Sequence, residues 1–290
     1  MRPSSKQILL GVIGLLVVGI GAFFILQREK PDEVTAPIET MDKAPKPVVI
    51  GTSVQGRPIE ATSYGGGDTH ILIVGGIHGG YEWNSVVLAY EMMDYLAANP
   101  ESIPQNLTVT IIPSANPDGV FKVVGKEGRF AVSDVPAGKD DSPGRFNANN
   151  VDLNRNFDCK WKPTSTWRGT PVSAGTAAFS EPEAQAIKNL VETARPVAAI
   201  FLHSQSNAVY ASECTGGILP ETLALMNTYA DSAGYPAVDA FDSYEITGDA
   251  EGWLASVGIP AITVELSTHD AVEREKNLAG LKAVFEHYAH

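Results

Sequence analysis

The chain has 290 residues, 44% of them apolar and 19% charged, with 27 Gly, 19 Pro and 2 Cys. Such a composition supports a sizeable core and excludes both a disordered tail and a disulfide-dense mini-protein. Its 21 basic residues face 34 acidic ones, a formal charge of −13 that repels phosphate backbones, so no nucleic-acid partner is expected.

The first element is apolar. After a short tail over 1–7, Ile8 to Leu26 reads ILLGVIGLLVVGIGAFFIL without a charge. At about 1.5 Å per helical residue this comes close to a hydrocarbon layer of roughly 30 Å. The run predicts a transmembrane helix over 8–26, with Arg2 and Lys6 favouring a cytoplasmic N-terminus. A cleaved secretory signal is the alternative, since Gly19 and Gly21 supply small residues two places apart. On either reading the bulk of the chain is exported: membrane-anchored if the segment stays, secreted if it is cut. Residues 27–46 are polar, carry Pro31, Pro37 and Pro45, and read as a tether. Six basic and five acidic residues precede Pro47, which leaves 15 basic against 29 acidic in the body over 47–290.

The body alternates strands and helices. His70 to Ile77 (HILIVGGI) predicts a strand buried on both faces, and Glu82 to Ala98 shows helical spacing through Val86, Tyr90, Met93 and Leu96. Thr108 to Pro113, Val197 to Leu202 and Ala261 to Leu266 predict further strands. One helix opens with Ser180-Glu181-Pro182-Glu183, which matches a capping box; another runs from about Glu221 to Ala233; the last carries Leu278, Leu281, Phe285 and Tyr288. The alternation predicts an α/β fold in one domain, with a central mixed, largely parallel sheet flanked by helices on both faces. In such sheets ligands collect beyond the carboxyl ends of the strands.

Polar residues stand at those ends. His78 follows the first of these strands, Asn116 and Asp118 the second, His203 the third, and Glu265 lies near the end of the last. Two imidazoles and a carboxylate are a standard catalytic zinc set with one position left open, and His78, Glu82 and His203 can supply it. A carboxylate in the otherwise apolar AITVEL strand is costly to bury without a partner or a task, which marks Glu265.

In chain order, GGIHGGYEWN (75–84), NPDG (116–119), GRFNANNVDLNRNFD (144–158), FSEPE (179–183), FLHSQS (201–206) and AITVEL (261–266) resemble the zinc metallocarboxypeptidases of the carboxypeptidase A type. The likeness runs from about residue 48 to the C-terminus, and is nearest to bacterial members, including enzymes that trim murein peptides. It implies one Zn²⁺ per chain held by His78, Glu82 and His203, with Glu265 as general base. Arg145 would stabilise charge on the carbonyl oxygen, with Arg129 in reserve. Asn154 and Arg155 would hold the substrate's terminal carboxylate, and Tyr244 would close over it, Trp253 falling at the matching offset. Glu251, with Asp249 nearby, takes the offset of the specificity-pocket floor, where an acid pairs with Lys, Arg or the amino group of diaminopimelate.

There is one departure. The family's first pair is usually His-x-x-Glu, whereas Glu82 stands four places after His78; Gly79 and Gly80 can absorb the extra residue because they tolerate positive φ. Cys159 directly follows VDLNRNFD and Cys214 follows the His203 strand, so in an oxidising compartment a Cys159–Cys214 disulfide is expected. His70, His269, His287 and His290 lack motif context and are expected at structural or surface positions.

The function implied is a membrane-tethered zinc carboxypeptidase acting as a monomer on the C-terminal residues of peptides or murein stem peptides; the tether over 27–46 is too short to fold over a cleft, so no zymogen is expected.

 The alternatives are a zinc-dependent N-acyl-amino-acid deacylase, similar around the zinc segments and the Asn-Arg pair, and a non-catalytic peptide- or murein-binding protein of the same fold. The full ligand set and Glu265 argue against the latter.

Overall fold

The computed structural model describes residues 45–138, 140–241 and 244–289. The expected anchor over 8–26 and nearly all of the tether lie outside the described residues, and within these no helix is long and apolar enough to cross a membrane.

The strands are β1 (Val48–Thr52), β2 (Pro58–Gly65), β3 (Thr69–Val74), β4 (Leu107–Ile112), β5 (Thr164–Trp167), β6 (Thr170–Ser173), β7 (Ala198–Ser204), β8 (Ala208–Ala211), β9 (Ala237–Val238) and β10 (Ala261–Leu266). Eight of them form one sheet in the order β1-β2-β4-β3-β7-β10-β8-β9, while β5 and β6 make a separate hairpin. The centre, β4-β3-β7-β10, is parallel, and β2 and β8 flank it antiparallel. The four strands expected from apolar runs are these central four. Both faces of these strands are covered, which in β3 leaves the unbroken apolar run Ile71–Val74. Strands β1, β2, β8 and β9 lie toward the edges and were not among those expected.

The helices are α1 (Trp83–Ala98), α2 (Pro117–Val124), α3 (Pro182–Ala194), α4 (Pro220–Ala233), α5 (Ala250–Ser256) and α6 (Arg274–Tyr288). Alternation along each strand sorts side chains between two layers. Ile71, Ile73, Ile200, Leu202, Ile262 and Val264 pack with Leu88, Leu225 and Leu281 of α1, α4 and α6. Leu72, Val74, Phe201 and Ala261 pack on the other side with Ile187 of α3 and Trp253 of α5. By the same parity His203 and Glu265 share the second face, and they are register partners on β7 and β10.

Two local expectations are corrected. Strand β3 ends at Val74, three residues before Ile77, because Gly75 and Gly76 turn the chain toward Ala115 and Asn116, whose N–H groups donate to their carbonyls at 3.0 Å. The capping box at 180–183 does not form: helix α3 starts after Glu181 with no side-chain cap. Instead Glu181 accepts from Asn147 and Asn149, and Glu183 accepts from the Val54 N–H, tying α3 to neighbouring segments.

Candidate active site

The strand order creates the site. From β3 the chain moves outward to β4 on one side and later returns to β7 on the other, so the carboxyl ends of β3 and β7 border a switch point, where open α/β sheets bind ligands. His78 follows β3 and His203 is the penultimate residue of β7. Between His78 and α1 the backbone makes one 3₁₀ turn over Gly79–Glu82, which takes up the extra residue of the His78–Glu82 spacing. Gly79 sits at φ +49°, and a Cβ on Gly80 would stand 2.6 Å from Val123 Cβ. The turn therefore needs glycine both for its conformation and for its close approach to α2.

The three side chains converge. His78 Nδ1 lies 2.8 Å from Glu82 Oε1, His203 Nδ1 lies 3.1 Å from Glu82 Oε2, and the two Nδ1 atoms are 3.2 Å apart. Donors about 2.0–2.1 Å from a tetrahedral zinc stand roughly 3.4 Å from one another, so this cluster has the spacing and donor types of a zinc site. The set is buried, and it is the candidate metal cluster found among the described residues.

Carboxylates back both imidazoles. His203 Nε2 is 3.1 Å from Glu251 Oε1, and His78 Nε2 is 3.4 Å from Asp152 Oδ1. A proton held on each outer nitrogen leaves the Nδ1 lone pairs facing the common point. Asp152 also accepts from Arg145 Nε and Nη2 at 2.9 Å each. Burial opposes ionisation of Asp152, but the guanidinium groups of Arg145 and Arg155 hold it well below the usual carboxylate range. Burial likewise works against Glu82, and His78 and His203 outweigh it, holding Glu82 low. His203 is raised well above its ordinary value: burial favours the neutral ring, but Glu82 and Glu251 favour the cation. The cluster is thus built to carry positive charge at its centre.

Glu265 stands beside it, with Oε2 accepting from the Ser206 N–H at 3.2 Å. Burial, reinforced by the Glu82 charge, pushes its pKa up to about 7. Glu265, Arg145, Asn154, Arg155, Tyr244, Asp249 and Glu251 all line one cleft of about 660 Å³ with the three clustered residues. Arg155 is buried; its Nη1 donates to Asn154 O at 2.6 Å, and its Nε has no partner among the described residues. Asn154 Oδ1 accepts from the Ala250 N–H and so fixes the start of α5. Tyr244 packs edge-on against Phe241, with ring centroids 4.8 Å apart.

Other expected residues land differently. Glu251 is 2% exposed, and its Oε1 is already engaged by His203 and by Thr263 Oγ1, so one of its oxygens backs a ring rather than standing free at a pocket floor. Asp249 caps α5 through the Gly252 N–H, and burial together with Glu251 pushes its pKa up to about 6. Arg129 lies outside the cleft, paired with Asp94 at 2.6 Å. Trp253 is a core residue packed against Phe157 and Phe179. Cys159 and Cys214 are joined by a disulfide, with Cα atoms 5.8 Å apart.

Sequence reasoning passed over several residues in the cleft and behind its wall. Asp152 had a signal, since it stands inside VDLNRNF two places before Asn154. His269 follows β10 by three residues; its Nδ1 is 2.8 Å from Ser204 Oγ, and its ring lies 4.5 Å from that of Tyr81. Trp167, at the end of β5, packs edge-on against Tyr81 at 5.2 Å, and the Arg145 guanidinium lies 4.7 Å from its ring centroid. No pattern in the sequence announced that hairpin as a cleft wall.

The chain is similar to several known proteins. The gamma-D-glutamyl-L-diamino acid endopeptidase 1 of Lysinibacillus sphaericus is 25% identical over 240 residues, covering 76% of this chain and 60% of the relative. A murein peptide amidase A of Vibrio campbellii is 29% identical over 154 residues, covering 49% of this chain and 58% of the relative. The chain therefore spans about 60% of the length of these curated relatives. In fold it is similar to the murein-tripeptide amidase of Escherichia coli O157, with a TM-score of 0.60 at 23% identity over 83% of this chain and 92% of that one. The profile of the zinc carboxypeptidase family matches residues 39–278, and with the His78, Glu82 and His203 cluster in place the chain belongs to the zinc carboxypeptidase family.

Proposed function

We propose that the protein is an exported, membrane-tethered zinc peptidase that removes a C-terminal amino acid from short peptides, murein stem peptides among them. The observation that carries this reading is the meeting of three metal-ligand side chains, a proton acceptor and a buried guanidinium with an unpartnered Nε in one cleft. Zinc held by His78, Glu82 and His203 supplies Lewis-acid polarisation of the scissile carbonyl and lowers the pKa of water.

The chain's own groups do the rest. Glu265 accepts a proton on its free oxygen during attack and returns it to the leaving amine, a role that suits a carboxylate raised toward neutrality. Arg145, oriented by Asp152 and by the Trp167 ring, places positive charge where the carbonyl oxygen becomes negative. Arg155 offers its unpartnered Nε to the carboxylate of the leaving residue, which relieves a buried donor that is otherwise unsatisfied. Glu251 lines that end of the cleft with its Oε2 unpartnered among the described residues, and a buried carboxylate oxygen there favours a leaving residue with a cationic side chain such as Lys, Arg or a diamino acid. The names of the two relatives, a gamma-D-glutamyl-L-diamino acid endopeptidase and a murein peptide amidase, support the same substrate class.

The cellular setting belongs to the same proposal. The uncharged run over 8–26 is long enough to anchor the chain, and the Cys159–Cys214 disulfide suits an oxidising compartment. Mass spectrometry of products from a peptide pool and a murein digest tests the activity, with and without chelator. The expected result is chelator-sensitive release of single C-terminal residues; a protein carrying one zinc that cleaves nothing in either pool refutes it.

A further inference from the structure

The hairpin of β5 and β6 carries a residue that this mechanism does not use. Trp167 pairs with Thr170, so the turn consists of Arg168 and Gly169 alone. Both have positive φ, +50° and +78°, which is the two-residue turn that favours Asn-Gly and Gly-Gly. An arginine there holds a left-handed conformation that residues bearing a Cβ disfavour, and such positions cluster where a side chain is needed for binding. Arg168 lines the cleft.

Its charge is also unmatched. In a chain of formal charge −13, the other cationic residues of the cleft wall have partners: Lys160 with Glu213, Arg145 with Asp152, and Arg155 with the Asn154 carbonyl. Among the described residues Arg168 has neither an ion pair nor a hydrogen bond; its guanidinium carbon lies 5.9 Å from the Trp167 ring centroid, and its charge acts on Tyr81 and His269. Arg145 lies 4.7 Å from the same ring centroid, so the two guanidinium groups are at most about 11 Å apart. With Arg145 at the scissile carbonyl oxygen, that limit leaves room for a second anion on the acyl side of the bond. A γ-linked glutamyl residue leaves its α-carboxylate about 5 Å along the carbon chain from the scissile carbon, and one hydrogen-bond length of roughly 3 Å at each guanidinium keeps the whole within that limit.

We propose that Arg168 is a specificity residue that takes the free carboxylate of the residue contributing the scissile carbonyl, so that the enzyme prefers an anionic, γ-glutamyl-type acyl residue. This rests on the reading of the cleft as a peptidase site. The test compares two peptides with the same leaving residue: one with a γ-linked glutamyl residue on the acyl side, the other with that residue's α-carboxylate converted to the amide. Both are given to the zinc-loaded full chain and to Arg168→Asn, which removes the charge and keeps a residue the turn accepts. The wild type is expected to favour the acid over the amide about tenfold in kcat/KM at low salt, and Arg168→Asn to bring that ratio to about one. Binding of the same pair to zinc-loaded Glu265→Gln, with and without Arg168→Asn, gives a readout that needs no turnover. Hydrolysis without discrimination between acid and amide overturns the role of Arg168 and leaves the peptidase reading standing. Discrimination in binding through Arg168 with no hydrolysis by the wild type does the reverse.

Discussion

Replacing Asp152 by Asn keeps the shape of the side chain and removes one buried charge. Asp152 is 0% exposed and receives two 2.9 Å contacts from Arg145, which is itself 3% exposed. Taking away one partner of a buried pair leaves the other uncompensated, at a cost of about 3–5 kcal/mol. Glu82 offsets part of this, because its Oε1 lies 3.7 Å from Arg145 Nη1, which points to the lower end, about 3 kcal/mol. For a domain of this size that lowers Tm by roughly 6–12 °C. Asp152 also backs His78 at 3.4 Å, so zinc affinity should weaken by about 10–100-fold. Thermal melts of the metal-free protein and zinc competition against a chelator measure the two effects separately. Because the cost lies in the stranded guanidinium, Asp152→Asn combined with Arg145→Met should be less destabilised than Asp152→Asn alone. A single variant as stable as the wild type, with zinc affinity within threefold, would refute this account of the pair.

Other consequences follow from the same geometry. Glu265→Gln should lower kcat/KM by about 10²–10⁴-fold with the zinc content unchanged, which metal analysis alongside peptide assays checks. Folding raises the Glu265 pKa from its ordinary value to about 7, so in the metal-free protein this carboxyl destabilises the fold increasingly as pH rises through that window. Metal-free Glu265→Gln should therefore gain in Tm over the wild type between pH 5 and about 8; a difference independent of pH would contradict the raised pKa. Folded His203 is raised above its ordinary value, and it must lose its proton to bind zinc, so zinc affinity should increase with pH and binding should release protons, as calorimetry in buffers of different ionisation enthalpy can detect. Opening the Cys159–Cys214 bridge frees a loop of 55 residues, worth about 4 kcal/mol in the chain-entropy model, and melts with and without reductant should show the loss.

The central strands were legible because burial on both faces fills β3, β4, β7 and β10 with apolar and β-branched residues. Strands β1, β2, β8 and β9 are short or mixed in polarity, and helices α2 and α5, at 8 and 7 residues, are too short for their periodicity to stand out. At the site, His78, Glu82, His203 and Glu265 were legible from their places at strand ends and from the family likeness. Glu251 was read by offset as a pocket floor, and what the offset did not show is that its Oε1 meets His203 and Thr263 while its Oε2 has no partner among the described residues.

The sequence by itself determined the chemical groups available and the alternation of strand and helix, because each depends on neighbours a few residues away. Only the tertiary structure decided which groups meet. His78 and His203 are 125 residues apart, Glu251 and the Trp167–Arg168 turn reach the same cleft from two further segments, and Asp152 reaches His78 and Arg145 from behind its wall from a third. Strand order and crossovers set those meetings, and no local period in a sequence encodes them.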